Sequence, residues 1–162
     1  MKTAFTALLF AAALQAADYR VIVAGLGGEP DYESRFTLLA QEAGKLTPGS
    51  QEVFTGARST KANVKAAIEK IAAEAKAEDS LSVLLIGHGT YDALNYKFNL
   101  VGPDLTADEL KGWLDKVPAK QLVVIATSAS GAAAEVLHSN NRVVVTATKS
   151  GTEKNAVVFG RY

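Results

Sequence analysis

Three short apolar runs, each ending in glycine or other small residues, constrain the fold of this chain more than any other feature. They cover residues 19–25, 81–86 and 122–126. Apolar runs of this length with little polar alternation are typical of strands buried on both faces of a parallel sheet. Segments with helical spacing of apolar residues separate them. The alternation predicts an α/β fold, a mostly parallel sheet with helices on both faces.

The remaining elements fit between these runs. Pro30 suits the first turn of a helix, and Thr60 can cap the next one. Thr106 with Glu109 three residues later has the spacing of a capping box, which predicts a third helix. The other predicted elements are strands at 52–55 and 142–148, a small surface strand at 96–101 and a short helix at 132–137.

Composition limits the function classes. The chain has 162 residues, of which 48% are hydrophobic, as expected for one globular domain. Lys plus Arg and Asp plus Glu both number 17, so no excess charge attracts nucleic acid or a membrane surface. There is no cysteine, and His88 and His138 lack the spacing of a metal site. We therefore expect no metal and no cofactor.

The first residues have the layout of a secretory signal peptide. Lys2 precedes an apolar run over 4–14, and small residues follow at Ala16 and Ala17. The run is too short for a transmembrane anchor, because a bilayer core is about 30 Å thick. We expect a leader over 1–17 that is removed after Ala16 or Ala17. The prediction is a secreted or periplasmic protein with one domain over 18–162.

A candidate site lies at the ends of two predicted strands. His88 and Gly89 follow the run at 81–86, and a turn with Ser128 and Ser130 follows the run at 122–126. Ligands of such sheets bind where the carboxyl ends of the strands open. Adjacent strands are about 4.8 Å apart. If these two strands are neighbours, His88 and Ser128 face one pocket.

On these residues the chain resembles the legumain-like and caspase-like cysteine peptidases, the peptidase C13-like superfamily. There a His-Gly follows the third core strand, and a short turn that carries the nucleophilic cysteine and ends in Gly follows the fourth. The legumain type of this turn is Ala-Cys-x-Ser-Gly. His88 and Gly89 match the first element, and Ser128 stands at the cysteine position of the second. A caspase-type Cys-x-Gly register places Ala129 there instead. The resemblance implies a three-layer, caspase-like (Rossmann-like) fold in which His88, Gly89 and Ser128 occupy catalytic-like positions.

The resemblance extends to the fifth strand and the loop after it. In the family this loop helps to form the substrate pocket, which implies substrate-binding positions at Ser150 and Glu153. The family normally continues with a further helix and strand, whereas this chain ends at Tyr162. We therefore keep open that the domain is truncated at its C-terminus.

The change of nucleophile decides the expected function. A thiol beside an imidazole ionises readily, whereas a serine generally needs an oriented histidine with a third group behind it. Asp92, four residues after His88, is the nearest candidate for that group. We expect an exported, degenerate scaffold that binds a peptide or protein segment. The alternative is an active Ser-His hydrolase that uses Ser128 and His88.

A nucleotide-binding module is a second alternative. Gly25, Gly27 and Gly28 lie between a predicted strand and a predicted helix, as in a phosphate-binding loop. Pro30 replaces the third glycine of that pattern, and Glu29 brings negative charge to the phosphate position. A tight strand-to-helix turn is the simpler use of these glycines.

Overall fold

The computed structural model describes residues 15–46 and 49–153, so most of the predicted leader and the end of the chain lie outside the described residues. The strands are β1 (Asp18–Ala24), β2 (Ser50–Phe54), β3 (Ser80–Ile86), β4 (Gly89–Tyr91), β5 (Tyr96–Phe98), β6 (Leu105–Thr106), β7 (Lys120–Ala126) and β8 (Arg142–Thr146). The helices are α1 (Pro30–Lys45), α2 (Lys61–Glu74), α3 (Ala107–Leu114) and α4 (Gly131–Val136), and a 3-10 turn spans Gly56–Arg58.

A parallel sheet of five strands organises the described residues. Its order is β2-β1-β3-β7-β8, and every neighbouring pair is parallel. The predicted α/β fold with a mostly parallel sheet is therefore confirmed. Among the residues that the structure describes, no helix is long and apolar enough to span a membrane.

The two faces of this sheet bury different residues of the same strand. Val21 and Val23 of β1 belong to the larger apolar cluster, to which α2 and α3 contribute. Ile22 and Ala24 pack on the other face with Phe36 of α1. Because successive side chains of a strand point to opposite faces, a strand covered on both sides is apolar throughout. This packing explains the apolar residues at 21–24 and gives the predicted three layers.

The predicted helix starts are confirmed. Pro30 is the first residue of α1, and the Thr60 hydroxyl accepts a hydrogen bond from the Asn63 amide at the start of α2. Thr106 and Glu109 form the complete capping box of α3.

A small antiparallel sheet, β4-β5-β6, follows the carboxyl end of β3. It contains the strand predicted at 96–101, which is shorter than expected and pairs with β4 in a hairpin. The prediction of a surface strand is wrong, because Tyr96 and Phe98 are both buried in the larger apolar cluster. The alternation of apolar and polar residues shows that one face of this strand is buried. It does not show which element covers that face.

Candidate active site

The carboxyl ends of β3 and β7 bring the two predicted site elements together. The strands are neighbours, with Ile86 paired to Ala126, so His88 and Ser128 each lie two residues beyond the last pair. The Ser128 hydroxyl donates a hydrogen bond of 3.1 Å to the Gly89 carbonyl. The His-Gly element (His88 and Gly89) and the serine turn (residues 127–131) therefore lie in contact, as predicted.

Gly89 allows this close approach because it has no side chain. A Cβ at this position would lie 2.5 Å from the Ser128 carbonyl oxygen and 2.6 Å from Thr127 Oγ1. It would also lie 2.7 Å from the Tyr96 ring. Real Cβ atoms do not make such contacts, so any other residue would separate β4 from the serine turn.

The turn after β7 has an unusual backbone conformation. Ala129 has a φ of +55°, which is uncommon for a residue with a side chain. The Ala129 amide donates a hydrogen bond of 2.8 Å to the Glu153 carbonyl. Ala129 is 1% exposed and Ser128 is 9% exposed. Ser128 is thus the more accessible of the two candidate nucleophile positions.

Two further hydrogen bonds of hydroxyl groups stabilise this turn. Thr127 and Tyr96 share a hydrogen bond of 2.6 Å between their hydroxyl groups. Burial raises the pKa of Tyr96, so its phenol stays neutral. The Ser130 hydroxyl accepts a hydrogen bond of 3.1 Å from the amide of Thr148 in the loop after β8. These contacts among four residues were not predicted, because no local pattern indicates which buried polar groups bind each other.

The imidazole of His88 lies against α1. Its ring packs edge to face with Tyr32, at 4.8 Å between ring centroids, and with Phe36, at 5.1 Å. The His88 carbonyl accepts a hydrogen bond of 3.1 Å from the Asn99 amide. Within the described parts of the chain, no hydrogen bond joins the imidazole to Ser128. The two side chains share one edge of the sheet but have different partners.

Asp92 does not orient the imidazole. Its carboxylate accepts hydrogen bonds from the amides of Leu94 and Asn95, at 3.1 and 2.8 Å, and from Lys97 Nζ at 2.7 Å. The Lys97 hydrogen bond and the two amides hold the pKa of Asp92 well below its usual range. Asp92 therefore stabilises the β4–β5 hairpin, and its candidacy as the third catalytic group is not supported.

The predicted substrate-binding residues lie in a loop that closes onto the serine turn. The Glu153 side chain accepts a hydrogen bond of 3.0 Å from the Lys149 amide. The Ser150 hydroxyl is 2.9 Å from the Thr152 hydroxyl. A Cβ on Gly131 would lie 2.3 Å from the backbone of Lys149 and Ser150. Both predicted residues thus lie beside the site, with their polar side-chain atoms engaged within the loop.

The glycine-rich turn after β1 packs against its own helix. The Gly27 amide donates a hydrogen bond of 2.8 Å to the Glu33 carboxylate, and a Cβ on Gly27 would lie 2.4 Å from the Glu33 amide nitrogen. A Cβ on Gly25 would lie 2.6 Å from the Asn99 carbonyl. The Gly27 amide, which a phosphate-binding loop would offer to its ligand, is thus already bonded to the Glu33 carboxylate. This favours a tight strand-to-helix turn over a nucleotide-binding loop. The residues described here contain no cluster of three or more His, Cys, Asp or Glu that could hold a metal ion.

The fold and the site together define a class. A parallel sheet in this order, with His-Gly after β3 and a small hydroxyl-containing turn after the neighbouring β7, is the arrangement expected for the caspase-like and legumain-like peptidase folds. The model of the peptidase C13 family matches residues 45–161. The chain belongs to the peptidase C13 family.

A solved structure supports the fold. The crystal structure of protein GSU0716 from Geobacter sulfurreducens is 19% identical in sequence, with a TM-score of 0.53. The similarity covers 70% of this chain and 50% of that chain, so this chain matches about half the length of its structural relative. No curated protein shows significant similarity to the chain.

Proposed function

We propose that this chain is an exported, non-catalytic member of the peptidase C13 family that binds a peptide or protein segment instead of cleaving it. One observation carries this proposal. The Ser128 hydroxyl donates its proton to the Gly89 carbonyl, while the His88 imidazole packs against the rings of Tyr32 and Phe36.

The chemistry of serine explains why this arrangement argues against catalysis. A serine can attack a carbonyl only if a base accepts its proton, and that base is best oriented by a third group. Here the Ser128 proton is directed to a carbonyl, and Asp92 is committed to its own hairpin. A cysteine has a much lower barrier to ionisation, with an ordinary pKa of about 8.5.

Two features of this edge of the sheet support the binding part of the proposal. The Asn99 carbonyl accepts from the Leu26 amide at 2.9 Å, and the Asn99 amide donates to the His88 carbonyl at 3.1 Å. The backbone at the ends of β1 and β3 is therefore fixed. Leu26, at this edge, is 42% exposed. A fixed backbone with an exposed apolar side chain supports binding of an extended peptide.

The first experiment tests catalysis. Wild-type protein should neither cleave a mixed peptide library nor be labelled at Ser128 by a serine-directed phosphonate. Labelling that is lost in His88→Ala would establish the Ser-His hydrolase instead. The Ser128→Cys variant should react with a thiol-directed probe. Peptidase activity of that variant that depends on His88 would show that only the nucleophile is missing.

The second experiment tests binding at this edge. Peptides selected from a displayed library on wild-type protein should bind Leu26→Glu at least tenfold more weakly. Leu38→Glu is the matched control, because Leu38 is 57% exposed on α1 and lies away from the strand ends. Equal loss in both variants, or loss in neither, would place binding elsewhere. Failure to select any peptide would remove the binding proposal.

A further inference from the structure

Asp79 holds the backbone just before β1. Asp79 lies immediately before β3 and is 5% exposed. One of its carboxylate oxygens accepts a hydrogen bond of 2.7 Å from the Ala17 amide nitrogen. The other accepts a hydrogen bond of 2.8 Å from the Lys76 amide. A buried carboxylate thus binds the chain at the point where the leader was predicted to end.

Ala17 is also tied to the sheet through its carbonyl. The Ser80 amide donates a hydrogen bond of 2.9 Å to the Ala17 carbonyl, and the pairing of β1 with β3 begins at the next residue, where Asp18 lies opposite Ser80. Gln15 and Ala16 are exposed. Ala17 is therefore bonded to the start of β3 through both its amide and its carbonyl.

We propose that the leader is cut between Ala16 and Ala17, and that Asp79 binds the α-ammonium group created by this cut. The inference rests on the export component of the proposed function. In the reaction, water adds across the Ala16–Ala17 peptide bond. Ala16 leaves with a carboxylate, and Ala17 keeps the nitrogen, which takes up a proton near neutral pH. The hydrolysis is performed by the peptidase of the export route, and the only co-reactant is water.

The contacts distinguish this cut from the alternative after Ala17. That cut would remove both the amide that binds Asp79 and the carbonyl that accepts from Ser80. The new terminus would start about 3.3 Å further along the strand. A cut after Ala16 keeps both contacts and turns a neutral donor into a cation. The hydrogen bond of the uncut chain already has an ionised acceptor, so the cut adds the Coulomb attraction between two full charges.

Within residues 15–46 and 49–153, few charged residues lie near Asp79. Lys76 lies in the loop that Asp79 caps, the Lys120 amide donates to the Asp79 carbonyl, and Asp18 is paired with Arg20. An ammonium beside a carboxylate has a raised pKa in the folded state. Its stabilising effect is therefore complete below the unfolded value of about 8 and is lost as the pH rises through the folded value.

The cleavage position is tested on the full chain. The 162-residue precursor is expressed in a bacterium with an intact export route, and the product is analysed by intact mass and N-terminal sequencing. A product that starts at Ala17 supports the inference. A product that starts at Asp18 overturns the cut after Ala16 but leaves export intact. A retained leader overturns both the cut and the export. Peptide binding is measured separately and does not depend on either result.

The role of Asp79 is tested by comparing the processed protein with a cytosolic chain that starts with Met before Gln15, in which the Ala17 nitrogen is an amide. At pH 6 the processed form should melt about 2–4 °C higher. The difference should vanish near pH 10, and it should vanish at pH 6 when both forms carry Asp79→Asn. Equal melting at pH 6, or a difference that survives Asp79→Asn, overturns the assignment.

Discussion

Gly89→Ala tests the contact on which the whole site depends. The new Cβ would lie 2.5 Å from the Ser128 carbonyl oxygen, 2.6 Å from Thr127 Oγ1 and 2.7 Å from the Tyr96 ring. The first of these is backbone, and the other two belong to buried side chains that bind each other. Relief therefore requires the turn or β4 to move. Overpacking of this kind costs about 1–3 kcal/mol, and we expect the upper end, about 3 kcal/mol.

The assay is urea unfolding followed by circular dichroism, with Gly112→Ala as the matched control. Gly112 lies in α3, and a Cβ there would meet nothing within 4 Å. Alanine has the higher helix propensity, so this control should gain roughly 0.5–1 kcal/mol. Both variants add one methyl group. If Gly89→Ala lost less than about 0.5 kcal/mol, the close approach of the His-Gly element to the serine turn would be refuted.

Three further predictions concern individual side chains. Tyr32→Leu should change the chemical shifts of the His88 ring protons, because the ring-current effect of the Tyr32 contact is lost; unchanged shifts in an NMR spectrum would contradict that contact. Arg142→Met should lower the unfolding free energy by about 3 kcal/mol in a denaturant titration, because a buried guanidinium bonded to Asp115 and to two other groups is removed; a loss below about 1 kcal/mol would contradict it. Asp92 has a depressed pKa, so its contribution is present above the unfolded value of about 4 and is lost as the pH falls toward the folded value. Asp92→Asn should therefore flatten the acid side of the stability curve, and an unchanged curve would contradict this.

The strand ends were predictable because they follow from local patterns. Near-continuous apolar runs are typical of strands in the middle of a parallel sheet, and the structure places β3 and β7 side by side. Because these strands are neighbours, His88 lies near the serine turn, and predicting this required no knowledge of side-chain contacts. Capping signals at Thr60 and Thr106 were equally local, and both caps are present.

The side-chain partners could not be predicted, because they depend on packing between distant elements. His88 meets Tyr32 and Phe36 only because α1 folds across the face beside β3. The four-residue spacing of these two aromatic residues was the available signal. Asp92 was the candidate for the third catalytic group because it is close to His88 in sequence. Its carboxylate instead accepts hydrogen bonds from two amides of its own hairpin.

Most contacts that hold the serine turn do not involve the Ser128 side chain. The backbone and neighbouring hydroxyl groups are held by pairs that do not include the Ser128 hydroxyl: Thr127 with Tyr96, Ser130 with Thr148, and Ala129 with Glu153. Replacing one γ-atom by sulfur at Ser128 removes a single hydrogen bond to Gly89 and leaves these pairs intact. Ser128→Cys should therefore fold like the wild type. An inert Ser128→Cys protein with native stability would place the loss of function in the orientation of His88 and the surrounding pocket, beyond the identity of the nucleophile.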